Sequence, residues 1–260
     1  MKRIESAEMN KLPGKRLGEN DRFAFHCRPG LSCFNRCCRN LNLFLYPYDV
    51  IRLKNSIGID SDQFLDKHVD IVLRDANYFP EVLLKMAQNK EKTCPFLAKT
   101  GCGVYSDRPR ACRTFPLEQG LLYEAEAKET RLIHIWRPPD FCLGQGEEKA
   151  WTPDTWIKDQ EAHFYNKMMV RWTELKRLFE SDPWGFEGPE GPKGRMAFMA
   201  TYNLDRFRDF IFNSTFRQRY KVKTDILKKI RKDDVETMKL GFDWVKLFLW
   251  GMQSKMIKPR

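Results

Sequence analysis

Eight cysteines stand out in this chain of 260 residues. Cys27, Cys33, Cys37, Cys38, Cys94, Cys102 and Cys112 lie close together in sequence, and Cys142 follows. Residues 143–260 contain none. A thiolate is a nucleophile, a redox group and a soft metal ligand. Cysteines serving only as small core hydrophobes would be scattered, not confined to the first part of the chain.

The first cluster reads FHCRPGLSCFNRCCRN, with spacing C-x5-C-x3-C-C. Short gaps bring several thiolates to one place with little loss of chain entropy. Arg28, Arg36 and Arg39 stand among them, and positive neighbours favour thiolate over thiol. Pro29, Gly30, Asn35 and Asn40 mark a loop. The second cluster, CPFLAKTGCGVYSDRPRACRTFPL, carries Cys94, Cys102 and Cys112. Gly101 and Gly103 suit a tight turn with backbone amides aimed at a sulfur. Cys142 sits in RPPDFCLG; on its own it reads equally well as a buried hydrophobe.

Ligation by cysteine alone selects zinc, or iron in an iron–sulfur centre. The paired C-x2-4-C knuckles of zinc ribbons are missing, and so is the C-x2-C-x2-C ferredoxin run. Eight cysteines fit two four-ligand sites, or one site with spare thiols. Adjacent residues point differently, so Cys37 and Cys38 can serve different sites. Of the four histidines, only His26, beside Cys27, is placed to compete as a ligand; His134 and His163 read as structural. Arg108, Arg110 and Arg113 flank Cys112, and Arg108 and Arg113 are expected to balance the charge of a thiolate centre.

These motifs resemble the YkgJ or CxxCxxCC family of zinc- or iron-chelating proteins. The resemblance rests on the Cys27–Cys38 cluster followed by NLNLFLYPYDVIRL, then CPFL, GCGVY, RPRACRTFPL and DFCLG, covering residues 23 to 144. MATYNLDRFRDFIF is similar to a segment of longer members. The first cluster departs from the short family form, which has two residues between cysteines. Its wider spacing is similar to that of flagellin lysine N-methylases, which are associated with an iron–sulfur cluster. That similarity implies an iron–sulfur centre, of the 4Fe–4S type, slightly ahead of zinc. No G-x-G-x-x-G nucleotide loop accompanies it.

The surrounding chain limits the setting. At 42% hydrophobic and 31% charged it is expected to fold as a globular protein. No apolar run approaches the ~20 residues of a membrane span. The N-terminal MKRIESAEMNKLPGKR has no apolar signal region, so the expected compartment is the reducing cytoplasm, where structural disulfides are rare.

The elements expected to hold the cysteines are mixed, giving an α+β, mostly helical fold. Residues 1–22 read as a polar basic arm, flexible or draped. Helices are expected over 47–57 and from Ser61, with Ser61 as cap. Strands are expected over 81–86, 120–127 and 131–137, the last two forming a hairpin. Ile157, Phe164, Met168, Trp172, Leu175 and Phe179 follow a helical period, predicting one long helix to residue 181. Residues 182–194 read as a linker, and helices follow over 203–212, 224–231 and 233–250. The resulting segments are a cysteine-cluster domain over 23–150, a long helix over 151–181 packed on it, the linker, and a basic helical segment over 195–260.

That last segment holds most of the formal net charge of +11. It could meet an acidic protein or nucleic acid, although solvated helix faces account for mixed charges equally simply. Asn203, Asp205 and Arg206 could form a polar site, or simply cap and bridge helices. The leading reading is a metal-binding protein with a Cys-rich centre. Its alternatives are a methylase-like metal-dependent enzyme, a structural zinc module presenting basic helices, and a thiol redox protein without metal.

Overall fold

The alternation around Ile133 and Ile135 does produce a strand. In the computed structural model, which describes residues 3–5, 12–74, 78–124 and 129–260, Glu129–Trp136 pairs antiparallel with Leu117–Glu124. Leu122, Ile133 and Ile135 are buried together. The last residues of the expected 120–127 strand, and part of its turn, lie outside the described residues. The N-terminal arm extends both edges of this hairpin. Arg3–Glu5 runs parallel to Leu117–Glu124, and Lys15–Leu17 runs antiparallel to Glu129–Trp136.

The fold is α+β and mostly helical, and the chain divides into two compact units that interleave in sequence. The first comprises Met1–Leu41, Gln88–Gly103 and Pro109–Asn166; the second comprises Asn42–Ala87, Val104–Arg108 and Lys167–Arg260. In the first unit, Leu17, Phe23, Phe25, Leu117, Cys142 and Trp156 form the core. Phe115, Trp136 and Trp151 pack against it. Burying each large side chain is worth about 1.5–3 kcal/mol, so this aromatic wall is a rigid backing for Cys142.

In the second unit, Pro47–Ser56 begins where the Tyr46 amide donates to the Asp49 carboxylate at 2.9 Å. Ser61–His68 follows, but its cap is Asp60, whose carboxylate accepts from the Gln63 amide at 2.9 Å. Ser61 instead ties this helix to the next polar group. Its hydroxyl donates to Asn203 Oδ1 at 2.8 Å, and its amide donates to the Asp205 carboxylate at 2.7 Å. Asp205 also meets buried Lys54 at 3.1 Å, and Lys54 reaches Asp234 at 3.0 Å. Asn203, Asp205 and Arg206 thus join helices through charge-assisted bonds. A three-stranded antiparallel sheet, Phe44–Leu45, Glu81–Leu84 and Val69–Val72, completes that side of the unit.

Two expectations are corrected, one from apolar period and one from Gly and Pro content. The helical pattern over 153–181 is broken: Pro153–Asp159 ends, Glu161 takes a φ of 51°, and a new helix runs His163–Leu178. The Arg113 guanidinium takes up the Gln160 carbonyl at 2.7 Å at this break. Residues 182–194 are not an extended linker. Trp184 is buried and stacks on Phe179, with ring centroids 5.2 Å apart, and a further helix begins at Pro192. Leu204–Asn213, Thr224–Lys229 and Asp234–Trp250 are helical as expected. Among the described residues, no helix is long and apolar enough to cross a membrane.

Candidate metal centre

All eight cysteines lie in the first unit, and none is in a disulfide. Their loops are stitched together by backbone bonds that the sequence spacing does not reveal. The Cys94 amide donates to the Cys38 carbonyl at 2.8 Å, and Asn40 donates to Lys92 at 2.9 Å. Arg39 and Thr93 bridge beside them. These bonds join the first cluster to the start of the second. A different stitch recruits Cys142: His26 donates to the Gly144 carbonyl at 3.0 Å, and Phe25 donates to Lys149 at 2.8 Å. Gly144 is required there by close approach, because a Cβ would stand 2.8 Å from the Phe25 ring and 3.0 Å from the His26 carbonyl.

Local turns then aim amides at sulfur. Cys37 and Cys38 lie on a short 3-10 turn, Arg36–Cys38, entered through left-handed Asn35. Cys94 precedes a turn whose Leu97 amide donates to the Cys94 carbonyl at 3.0 Å, and the Phe96 and Leu97 amides favour its thiolate. Cys102 lies in the two-residue ribbon Leu97–Ala98 and Gly101–Cys102, while the Gly103 amide closes on the Phe96 carbonyl at 2.8 Å. The Leu143 amide donates to Cys33 Sγ at 3.3 Å, and the Gly144 and Gln145 amides favour the Cys142 thiolate. Such N–H···S bonds stabilise thiolates and tune thiolate-bound metals. Cys112 lies on the helix Arg110–Thr114.

The thiols form a connected electrostatic neighbourhood. Cys27 is within reach of Cys142, Cys33 and Cys38. Cys37 is within reach of Cys38, Cys112 and Cys27, and Cys94 is within reach of Cys38 and Cys102. Partial burial, then the neighbouring thiols, push the Cys27 thiol up. Burial lifts Cys94 to about 11 and also raises Cys142. Cys38 is different. Its thiol is lowered to about 7 because the Cys37 thiol donates to it, with the Arg39 charge helping against burial. Cys37, as the donor and half-buried, is raised. Gathered thiolates therefore oppose each other's ionisation, and a bound cation would remove that cost. Among the described residues, no three His, Cys, Asp or Glu side chains converge closely enough to hold an ion in this arrangement.

The arginines and histidines divide by role. Arg28 forms a two-point pair with Glu147, at 2.9 and 3.2 Å, across the Cys27 and Cys142 loops. Arg39 reaches the Asn35 carbonyl at 2.6 Å and Glu91 at 3.2 Å. Arg113 is buried in the first unit, with its guanidinium over the Tyr165 ring at 4.6 Å. Arg110 donates to Asn166 at 2.7 Å and to Gln119. Arg108 belongs to the second unit, where it lies over the Tyr105 ring at 3.8 Å. His26 faces Glu147 at 3.9 Å, and His134 is bonded to Gln119 at 3.0 Å. The amide donors at Leu143, Gly144 and Gln145 escaped sequence reasoning; the glycine after Cys142 was their one visible trace.

No curated protein and no solved structure matches the chain. A family model does, over residues 26–142, and its description reads "CxxCxxCC: Putative zinc- or iron-chelating domain". The matched stretch begins beside Cys27 and ends on Cys142, so it takes in every cysteine of the chain. From His26 to Cys142 the chain is thus similar to the CxxCxxCC domain, which is described as a putative zinc- or iron-chelating domain.

Proposed function

We propose that the first unit binds metal through thiolates drawn from Cys27, Cys33, Cys37, Cys38, Cys94, Cys102, Cys112 and Cys142, with an iron–sulfur centre ahead of zinc. One observation carries this reading: backbone stitches bring all three cysteine-bearing segments into one neighbourhood of unbridged thiols. The donor set fits, being sulfur-rich, half-buried and supplied with amide donors at Cys33, Cys94 and Cys142. Such a donor set suits soft or borderline ions.

The missing zinc-ribbon knuckles and the missing ferredoxin run leave both metals open, and iron–sulfur goes ahead of zinc on the similarity of the first cluster's wide spacing to that of flagellin lysine N-methylases. When bound, an iron–sulfur centre would supply one-electron chemistry. The protein's own part is to present thiolates, shield them with Phe115 and Phe141, and balance charge. Arg39 supplies that charge at Cys38, and Arg113, in the same unit, is a further candidate. Coordination would tighten loops that now only neighbour one another, coupling metal binding to local folding.

Anaerobic purification tests this directly. Visible absorbance is recorded, and iron, zinc and acid-labile sulfide are quantified. Brown protein with sulfide matching iron is expected. Colourless protein with stoichiometric zinc would replace the iron–sulfur reading with the zinc one. Folded protein holding neither metal would overturn both. Cys38→Ser and Cys94→Ser should each lower metal content severalfold while the second unit keeps its helical signal.

A further inference from the structure

The second unit carries a basic face that the metal centre does not use. Eleven Lys and Arg occur within residues 216–232 and 251–260, against one acid, Asp225. All eleven are exposed, and among the described residues none of them enters an ion pair. Topology brings the two segments together at a ribbon. Tyr220–Val222 and Ile257–Pro259 pair antiparallel, and the Arg260 amide donates to the Arg219 carbonyl at 3.0 Å. The final residues thus lie alongside a segment about forty positions earlier.

The register of this ribbon is the telling feature. Lys221 stands directly opposite Lys258, and both are exposed. Directly opposed residues have Cβ atoms roughly 5 Å apart, where like charges destabilise a strand pair. The other face holds the ribbon in place: Ile257 is buried, and the Tyr220 ring packs 4.9 Å from Phe216. Arg217, Arg219 and Lys223 flank the lysine pair, and a further basic run follows at 228–232. An anion between Lys221 and Lys258 would turn their repulsion into shared attraction.

We propose that this face binds the phosphate backbone of double-stranded nucleic acid without reading its sequence. Its composition separates that partner from others. Protein interfaces are depleted in lysine and anchored by aromatic side chains, whereas nucleic-acid interfaces are polar and strongly positive. Within residues 216–260, Met252 is the single large apolar side chain exposed among the described residues. That leaves nothing to anchor in a lipid layer, where binding grows with buried apolar area. It also leaves no exposed ring on which single-stranded bases would stack, since Tyr220 is engaged with Phe216 and Trp244.

The experiment is fluorescence anisotropy of the full, metal-loaded chain with labelled mixed-sequence duplexes of about 20 base pairs, in DNA and RNA forms. Binding should weaken steeply with salt, with a log–log slope of about −3 to −5 and little dependence on sequence. Lys221→Glu is the discriminating variant. It should weaken binding about tenfold and flatten the salt slope. It should also raise the melting temperature, because a Glu–Lys pair replaces two opposed lysines. A residue with a purely structural role would not lose binding while gaining stability. Binding of the variant equal to wild type would overturn the proposal. So would failure of both duplexes to bind, or tighter binding to anionic vesicles, single strands or polyglutamate at the same salt. Metal content is read separately, so failure here leaves the metal reading untouched.

Discussion

Cys37 and Cys38 are adjacent yet behave oppositely. The Cys37 thiol donates to the Cys38 sulfur, so the proton stays on Cys37 while Cys38 ionises at about 7. A thiol at 7 is about half thiolate at neutral pH, whereas one near its ordinary value is only a few per cent ionised. In metal-stripped protein, iodoacetamide should therefore modify Cys38 first among the eight. Its rate should rise with pH and reach half its plateau near 7, because the thiolate is the nucleophile. Cys37→Ala removes the donor, so the midpoint should move up and the rate at neutral pH should fall about tenfold for each unit moved. Peptide mapping by mass spectrometry reads both site and midpoint, and an unchanged midpoint in the variant would disprove the pairing. The adjacency and the nearby Arg39 were legible in sequence. Which sulfur donates was not, because that depends on how the Arg36–Cys38 turn orients two side chains.

Elements were legible where one local signal sufficed. The helices at 47–56, 204–213 and 234–250 and the hairpin strands follow from apolar period, caps and alternation. The break near Glu161 was hidden because Ile157 and Phe164 are seven residues apart, a spacing that preserves helical phase across an interruption. The helix Pro192–Thr201 was hidden for another reason. Its Gly- and Pro-rich approach resembles a linker until Trp184 is seen packed against Phe79 and Phe179. That helix also depends on a glycine in its partner. A Cβ on Gly241, within Asp234–Trp250, would stand 1.9 Å from the Ala200 carbonyl oxygen. Gly241→Ala must push two backbones apart, and overpacking of this kind costs about 1–3 kcal/mol. A lowered melting temperature is expected, with metal content per folded molecule unchanged. Wild-type stability would mean that the two helices do not meet so closely.

The whole molecule explains why the cysteine pattern is so spread out. Residues 42–87 separate the first cluster from the second, yet they fold with the C-terminal helices in the second unit. The sequence places its boundaries one after another, whereas the compact units interleave because contacts such as Ser61 to Asn203 and Lys54 to Asp234 bridge well over a hundred positions. Such pairings leave no local trace, so the cysteine set was readable while its unit was not. Each unit has its own core: Phe25 and Trp156 in the first, Phe207 and Trp244 in the second. A ligand held only by the first unit should therefore stabilise that unit selectively. Bound at a thousand times its dissociation constant, a metal adds about 4 kcal/mol to whatever must open to release it. Hydrogen exchange before and after chelation should locate that energy. Amides in 27–41, 88–103, 109–114 and 142–147 should lose protection by one to three orders of magnitude, following local opening. Amides of Asp234–Trp250 should change by less than about threefold. Equal loss in that helix would mean that the units open together and that the metal stabilises the entire chain. Selective loss would assign the eight thiolates one task, holding three distant cysteine segments as a single local structure.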